Sequence, residues 1–157
     1  MKKRVLFICL GNICRSPTAE AVFKQKLKSK NWQTHFEVDS AGTSNNHVGE
    51  SSDPRSIQHA EKRGYIMDHK ARQFSADDFS KFDYLICMDD QNFQNVARLA
   101  VTESDKNKIK KMAHYLKKYN DAFILDPWPM GPEAFEKVID LLEDGCEHLL
   151  FELHPEK

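Results

Sequence analysis

Cys9 and Arg15 stand six positions apart, with Leu10-Gly11-Asn12-Ile13-Cys14 between them and Ser16-Pro17 behind. An apolar run, Val5-Leu6-Phe7-Ile8, leads into this stretch, and a helical pattern of Ala19, Val22, Phe23 and Leu27 leads out of it. The pattern predicts a buried strand ending at Cys9, a short loop, and a helix opening near Arg15. Loop amides and the first N–H groups of a helix have no partner inside the element and favour an anion at the loop's centre. Such surroundings, with a neighbouring cation, also favour the thiolate, the nucleophilic form of cysteine. Arg15 adds a planar fork that matches two phosphate oxygens. Ser16 is placed to donate a hydrogen bond to the sulfur. Gly11 permits close backbone approach, and Asn12 tolerates a left-handed conformation where the loop curls. The chemistry this suits is attack on a phosphoryl group held by the loop itself.

A thiolate nucleophile needs an acid for the leaving group. Asp126 is the candidate, in the rigid run Asp126-Pro127-Trp128-Pro129-Met130-Gly131-Pro132. Trp128 beside it is expected to shield the carboxyl from water and favour its protonated form. Asp126 would protonate the leaving oxygen and then activate water against the cysteinyl-phosphate. This chemistry needs no metal and no cofactor, and the chain offers no metal-ligand spacing.

The elements that must position these groups alternate. Residues 4–9, 36–40 and 84–88 read as strands, with a further strand near Ile109–Tyr115. Residues 16–29, 54–63, about 75–80 and about 90–100 read as helices; Asp53-Pro54 caps the second of these and Gly64 stops it. The last helix carries Phe135, Val138, Ile139, Leu142, Cys146, Leu149, Leu150 and Leu153 on one face. Residues 41–54 form a long Gly/Ser/Asn-rich loop of the kind that carries function. Alternating strands and helices predict an α/β fold with a parallel sheet covered by helices on both faces. Sites in such sheets lie at the carboxyl ends of the strands, where Cys9 is placed.

The chain has 157 residues, enough for one domain spanning 1–157. Its net charge of −1 gives no sign of a nucleic-acid or membrane partner. Met1-Lys2-Lys3-Arg4 looks like the start of a signal peptide, but the apolar run after it stops at Gly11-Asn12, too short for one. Four scattered cysteines in a chain of this size read as free thiols in the cytoplasm. Cys87 and Cys146 fall on apolar faces and read as core. The lysines between 106 and 118 read as a solvated face, and Asp89 as a helix cap.

Cys9 to Pro17 resembles the phosphate loop of the low-molecular-weight protein tyrosine phosphatases. Ser40-Ala41-Gly42-Thr43, Asp53-Pro54-Arg55, His69-Lys70-Ala71-Arg72-Gln73, Cys87-Met88-Asp89 and Asp126-Pro127-Trp128 resemble further family blocks in the family's order. The resemblance implies a four-stranded parallel twisted sheet, with the phosphate-binding loop after the first strand. It implies Cys9 as nucleophile, Arg15 as phosphate binder and Asp126 as general acid and base. Leu10 to Cys14 and Ser16 would surround the phosphate, while Asn12, Ser40 and His69 would fix the loop's shape. Cys14 would form a reversible disulfide with Cys9, protecting it from irreversible oxidation. Substrates would be phosphotyrosine-containing proteins, with inorganic phosphate as product, and exposed aromatic surface around the site could support weak self-association.

The pocket wall departs from the family. Asn46 stands where many members carry an aromatic, and Pro129 follows Trp128 where a second aromatic is common. Both changes weaken the expected stacking on a phosphotyrosine ring. Three other readings stay open at this level. An arsenate reductase would need a relay of further thiols, for which Cys87 is the only downstream candidate before Cys146. An arginine-phosphate phosphatase tends to carry Thr where this loop has Ile13. A phosphate-binding module without turnover would not require Cys9, Arg15 and Asp126 together.

Overall fold

In the computed structural model, which describes residues 1–154, the first strand β1 (Lys3–Cys9) runs through the middle of a four-stranded sheet. It is followed by α1 (Arg15–Ser29), β2 (Phe36–Gly42), α2 (Pro54–Lys62), α3 (Asp78–Lys81), β3 (Tyr84–Cys87), α4 (Asp90–Ala97), α5 (Glu103–Asn107), β4 (Ile109–Lys111) and α6 (Pro132–Glu152). The strand order is β2-β1-β3-β4 and every pairing is parallel. Val5, Phe7 and Cys9 face one side of the sheet, where α1 and α6 pack through Val22, Phe23, Leu142 and Leu149. Leu6 and Ile8 face the other side and meet Phe74, Phe79, Phe82 and Val96. The period-two alternation of a strand therefore splits one continuous apolar run between two cores.

All eight apolar positions predicted on the last helix are buried, as are Cys87 and Cys146. α2 opens on Asp53, whose side chain accepts from the Arg55 N–H, and its chain turns at Gly64 with φ of +86°. The elements differ from the sequence reading at several points, among them the helix expected near 75–80, which forms at Asp78–Lys81, and β2, which runs on to Gly42. The expected strand 109–115 stops at Lys111, because a 3₁₀ turn over Met112–Tyr115 swings Met112 and Tyr115 into the core. The helix expected to reach residue 100 ends at Ala97. A short helix, α5, was not anticipated, although Thr102 and Asp105 form the reciprocal capping box that marks its start.

β1 and α1 converge on the loop 10–14. Asn12 takes the left-handed conformation there, with φ of 58°. Gly42, at the end of β2, lies against the loop's back: a Cβ at that position would sit 2.7 Å from the Leu10 carbonyl oxygen. Only glycine allows β2 to approach so closely.

Candidate active site

Cys9 is buried at the floor of a cavity of about 230 Å³ at the carboxyl edge of the sheet. Its Sγ accepts the Asn12 backbone N–H at 3.3 Å and lies 3.0 Å from Ser16 Oγ. Asn12 Nδ2 donates to Ser16 Oγ at 2.8 Å and to Ser40 Oγ at 3.0 Å. Ser40 in turn donates to Glu20 Oε1 at 2.7 Å. Ser16 Oγ accepts from Asn12, so its own hydrogen is free to go to the sulfur at 3.0 Å or to the Ala41 carbonyl at 3.4 Å. Asn12 Oδ1 accepts from the Arg72 N–H at 2.9 Å and lies 2.8 Å from His69 Nε2. The other His69 nitrogen lies 3.2 Å from Glu20 and 3.4 Å from Asp39. This buried network holds the strained Asn12 in place, so the loop keeps its curl.

α1 begins at Arg15 with Cys14 as its N-cap, no capping side chain and no acidic residue in its first turn. That helix end is electropositive and faces the cavity, an arrangement suited to an anion. Arg15 is 3% exposed. Its Nη1 donates to Asp89 Oδ2 at 2.6 Å and to the Ile124 carbonyl at 3.0 Å, and Nη2 lies 3.9 Å from Asp126 Oδ2. Burial opposes the guanidinium charge, but Cys9, Asp89 and Asp126 outweigh it and hold the pKa above its ordinary value.

The cavity is lined by the loop residues Leu10, Gly11, Ile13 and Cys14 together with Arg15, and by Asn46, His47, Asp126 and Trp128 on its walls. Cys9, Arg15 and Asp126, predicted from distant parts of the chain, therefore share one space. Asn12 and Ser16 lie beneath the loop rather than on the cavity surface, as do Ser40 and His69. Pro129 is exposed and does not line the cavity. The predicted shielding of Asp126 is absent. Its side chain is 42% exposed, and Trp128 is itself exposed, donating its backbone N–H to Asp126 Oδ1 at 3.1 Å. The short Asp-Pro-Trp turn thus fixes the carboxylate by a local hydrogen bond, not by covering it.

Asp89 was predicted to cap α4, and one of its oxygens does accept the Asn92 N–H at 2.8 Å. Its second oxygen holds Arg15, a role the sequence did not suggest. Glu20, Asp39 and Arg72 were likewise missed. No local pattern marks Glu20, whose neighbours one turn away are Ser16 and Lys24. Among the described residues, Glu20, Asp39 and His69 form the one group whose possible metal-ligand atoms lie within 4.8 Å of one another. Those side chains already engage Ser40, Lys24 and Arg72.

The model of the family described as low molecular weight phosphotyrosine protein phosphatase matches residues 4–157. The chain belongs to this family. The low molecular weight protein-tyrosine-phosphatase of Streptomyces coelicolor is 38% identical over 152 residues, covering 96% of this chain and 93% of its own. The protein tyrosine phosphatase of Entamoeba histolytica, solved with Hepes in its active site, superimposes with a TM-score of 0.95 at 37% identity, over 99% of each chain. A Drosophila arginine phosphatase superimposes with a TM-score of 0.89 at 34% identity, over 98% of each chain. This phosphatase builds its fold on a four-stranded parallel sheet with helices.

Proposed function

We propose that this phosphatase hydrolyses protein phosphotyrosine through a cysteinyl-phosphate intermediate, with Cys9 as nucleophile, Arg15 as phosphate clamp and Asp126 as general acid and base. The observation that carries the reading is the convergence of all three groups on one cavity beneath an unsatisfied helix N-terminus. The substrate phosphoryl group sits in the loop, with oxygens on the loop amides and on Arg15. The Cys9 sulfur attacks phosphorus in line with the leaving oxygen. An S–P bond forms as the P–O bond breaks, and Asp126 supplies the proton to the departing phenolate. Asp126, now ionised, takes a proton from water as that water attacks phosphorus, forming an O–P bond while the S–P bond breaks. Phosphate leaves, and the Cys9 thiolate is restored with Ser16 donating to it.

Ile13 lines the cavity with an aliphatic side chain and offers no polar contact to a guanidinium. This favours an aryl phosphate over phosphoarginine. Leu10, Trp128 and Met130 are exposed, and the first two border the cavity, giving apolar support for a phosphotyrosine ring and its flanking peptide or for weak self-association. Asn46 leaves the opposite wall polar. Four free, buried cysteines fit a reducing compartment such as the cytoplasm, and no helix among the described residues is long and apolar enough to cross a membrane.

Steady-state hydrolysis of p-nitrophenyl phosphate with chelator present tests the reading. Wild type should turn over and Cys9→Ser should not, while both bind orthophosphate. Undiminished turnover by Cys9→Ser would remove the nucleophile assignment.

A further inference from the structure

The segment from His69 to Phe74 forms only isolated bridges, with Ser51 and Gly42, yet it touches the phosphate loop, the end of β2 and the loop of the pocket wall. The Arg72 N–H donates to Asn12 Oδ1 and the Arg72 carbonyl accepts from Gly42 N at 2.9 Å. Phe74 N–H returns a bond to the Gly42 carbonyl at 2.7 Å. One residue earlier, Ala71 bonds the pocket-wall loop: its carbonyl accepts from Gly49 N at 2.8 Å and its N–H donates to the Glu50 carbonyl at 2.9 Å. The strap therefore joins the back of the phosphate loop to the wall that carries Asn46 and His47.

The Arg72 guanidinium adds side-chain anchors to these backbone bonds. Nη1 and Nη2 donate to the two oxygens of Asp78 at 3.1 and 3.0 Å, and Nε donates to Asp39 Oδ2 at 3.0 Å. Asp78 is 2% exposed and also accepts the Ser75 N–H at 2.9 Å. A bidentate pair with a buried carboxylate fixes both the position and the orientation of the fork. Asp78 is not among the residues lining the cavity.

We propose that Arg72, anchored by Asp78, is a positioning residue that sets the polarity of the hydrogen-bond chain ending on Cys9 and holds the pocket wall against the phosphate loop. The Asn12 amide sets the direction of that chain. A backbone N–H can only donate, so its bond from Arg72 identifies the facing Asn12 atom as Oδ1. Nδ2 must then face Ser16 and Ser40. Ser16 Oγ accepts from it and keeps its own hydrogen for Cys9 Sγ at 3.0 Å, a nearer acceptor than the Ala41 carbonyl at 3.4 Å. A displaced strap would release Asn12 from its left-handed conformation and reverse or break that chain. It would also free Gly49 and Glu50, so the wall would move with the loop.

This inference rests on the phosphatase reading, and direct orthophosphate binding separates the two. If wild type neither binds orthophosphate nor hydrolyses p-nitrophenyl phosphate, the phosphatase reading fails. The inference itself is tested by Asp78→Asn, which keeps the volume and the acceptor for Ser75 but removes the charge and one acceptor for Arg72. Arg72→Lys, which keeps the charge but loses the fork, decides the matter if Asp78→Asn does not fold. Measured at least 20 °C below each variant's melting temperature, the orthophosphate Kd should rise about fivefold to tenfold. The KM for p-nitrophenyl phosphate should rise with it, and kcat should fall. A merely structural pair would lower the melting temperature and leave Kd, KM and kcat of the folded enzyme unmoved. An orthophosphate Kd within twofold of wild type in a folded variant overturns the proposal, whatever the change in melting temperature.

Discussion

Asp89 Oδ2 accepts a 2.6 Å hydrogen bond from Arg15 Nη1, while its other oxygen caps α4. One carboxylate thus starts a helix and aims the guanidinium of another helix at the cavity. The Ile124 carbonyl shares Nη1, which ties Arg15 to the segment leading into Asp126. Arg15 and the turn that carries Asp126 are therefore held by the same fork.

Asp89→Ala should lower kcat/KM for p-nitrophenyl phosphate by about 10²-fold, the cost expected when a reacting or clamping group is misplaced by about 1 Å. The lost cap should also cost about 1 kcal/mol of stability. Steady-state kinetics beside thermal melts separate the two effects. Wild-type kinetics in the folded variant would show that the ion pair does not orient Arg15.

Asp126→Asn should slow phenyl phosphate, with its poor leaving group, by about 10²–10⁴-fold. It should slow p-nitrophenyl phosphate far less, because p-nitrophenolate departs without a proton. Single-turnover measurements on both esters check this. Equal slowing would assign the acid to another group. The exposure of Asp126 predicts that the change perturbs stability little.

Cys14 is 4% exposed, and burial pushes its thiol up to about 12 from an ordinary value of about 9. The folded protein then keeps a proton that the unfolded chain releases above about pH 9. The sign is that of a raised pKa: the contribution is complete below about pH 9 and is lost as pH climbs through about 12. The slope for one such group is about 1.4 kcal/mol per pH unit. Urea melts between pH 8.5 and 11 should show a shallower decline for Cys14→Ala than for wild type, and parallel declines would contradict the assignment. The same burial bears on redox behaviour. At neutral pH Cys14 stays a thiol, so mild peroxide should oxidise Cys9 first, to the sulfenic acid. Cys14 should then displace water from that sulfur, forming the disulfide. Recovery of activity with added thiol should be lower in Cys14→Ser. Equal recovery would deny Cys14 a protective role.

Asp144, on α6, accepts the backbone N–H groups of Lys117, Lys118 and Tyr119 at 3.0–3.2 Å. Burial works against its charge, but those three bonds and nearby His148 outweigh it and hold the carboxyl below its ordinary value. Asp144→Ala would leave three donors without their charged acceptor and should cost about 3 kcal/mol. For a chain of this size that is roughly 10 °C in melting temperature. The contribution is present at neutral pH and is lost as pH falls through the folded-state value, so the gap between variant and wild type should narrow in acid. An unchanged melting temperature at pH 7 would show that water replaces the carboxylate at no cost.

Local sequence alone was enough to place the reactive loop. The apolar run before Cys9, the helical period after Arg15 and the permissive Gly11-Asn12 pair are short-range signals, and a strand, loop and helix N-terminus follow from them within twenty residues. The same holds for α6, whose eight-residue apolar face is a periodic pattern long enough to survive any packing. Asp126 stood out as the candidate acid because Pro127 and Trp128 mark a rigid turn beside it. What only the folded chain decided are the pairings between segments far apart in sequence. Arg15 with Asp89 spans 74 positions, Asn12 with Arg72 spans 60, and Asn12 with Ser40 spans 28. No local period encodes which carboxylate meets which guanidinium, because an Asp before a helix serves equally well as a cap alone. Nor did the Asp126-Pro127-Trp128 order reveal that Trp128 would leave the carboxyl uncovered, since an indole's direction is set by its packing. Residue types and spacing determine what the loop can do chemically; the close approach of β2 and the strap behind it determine that the loop is held ready to do it.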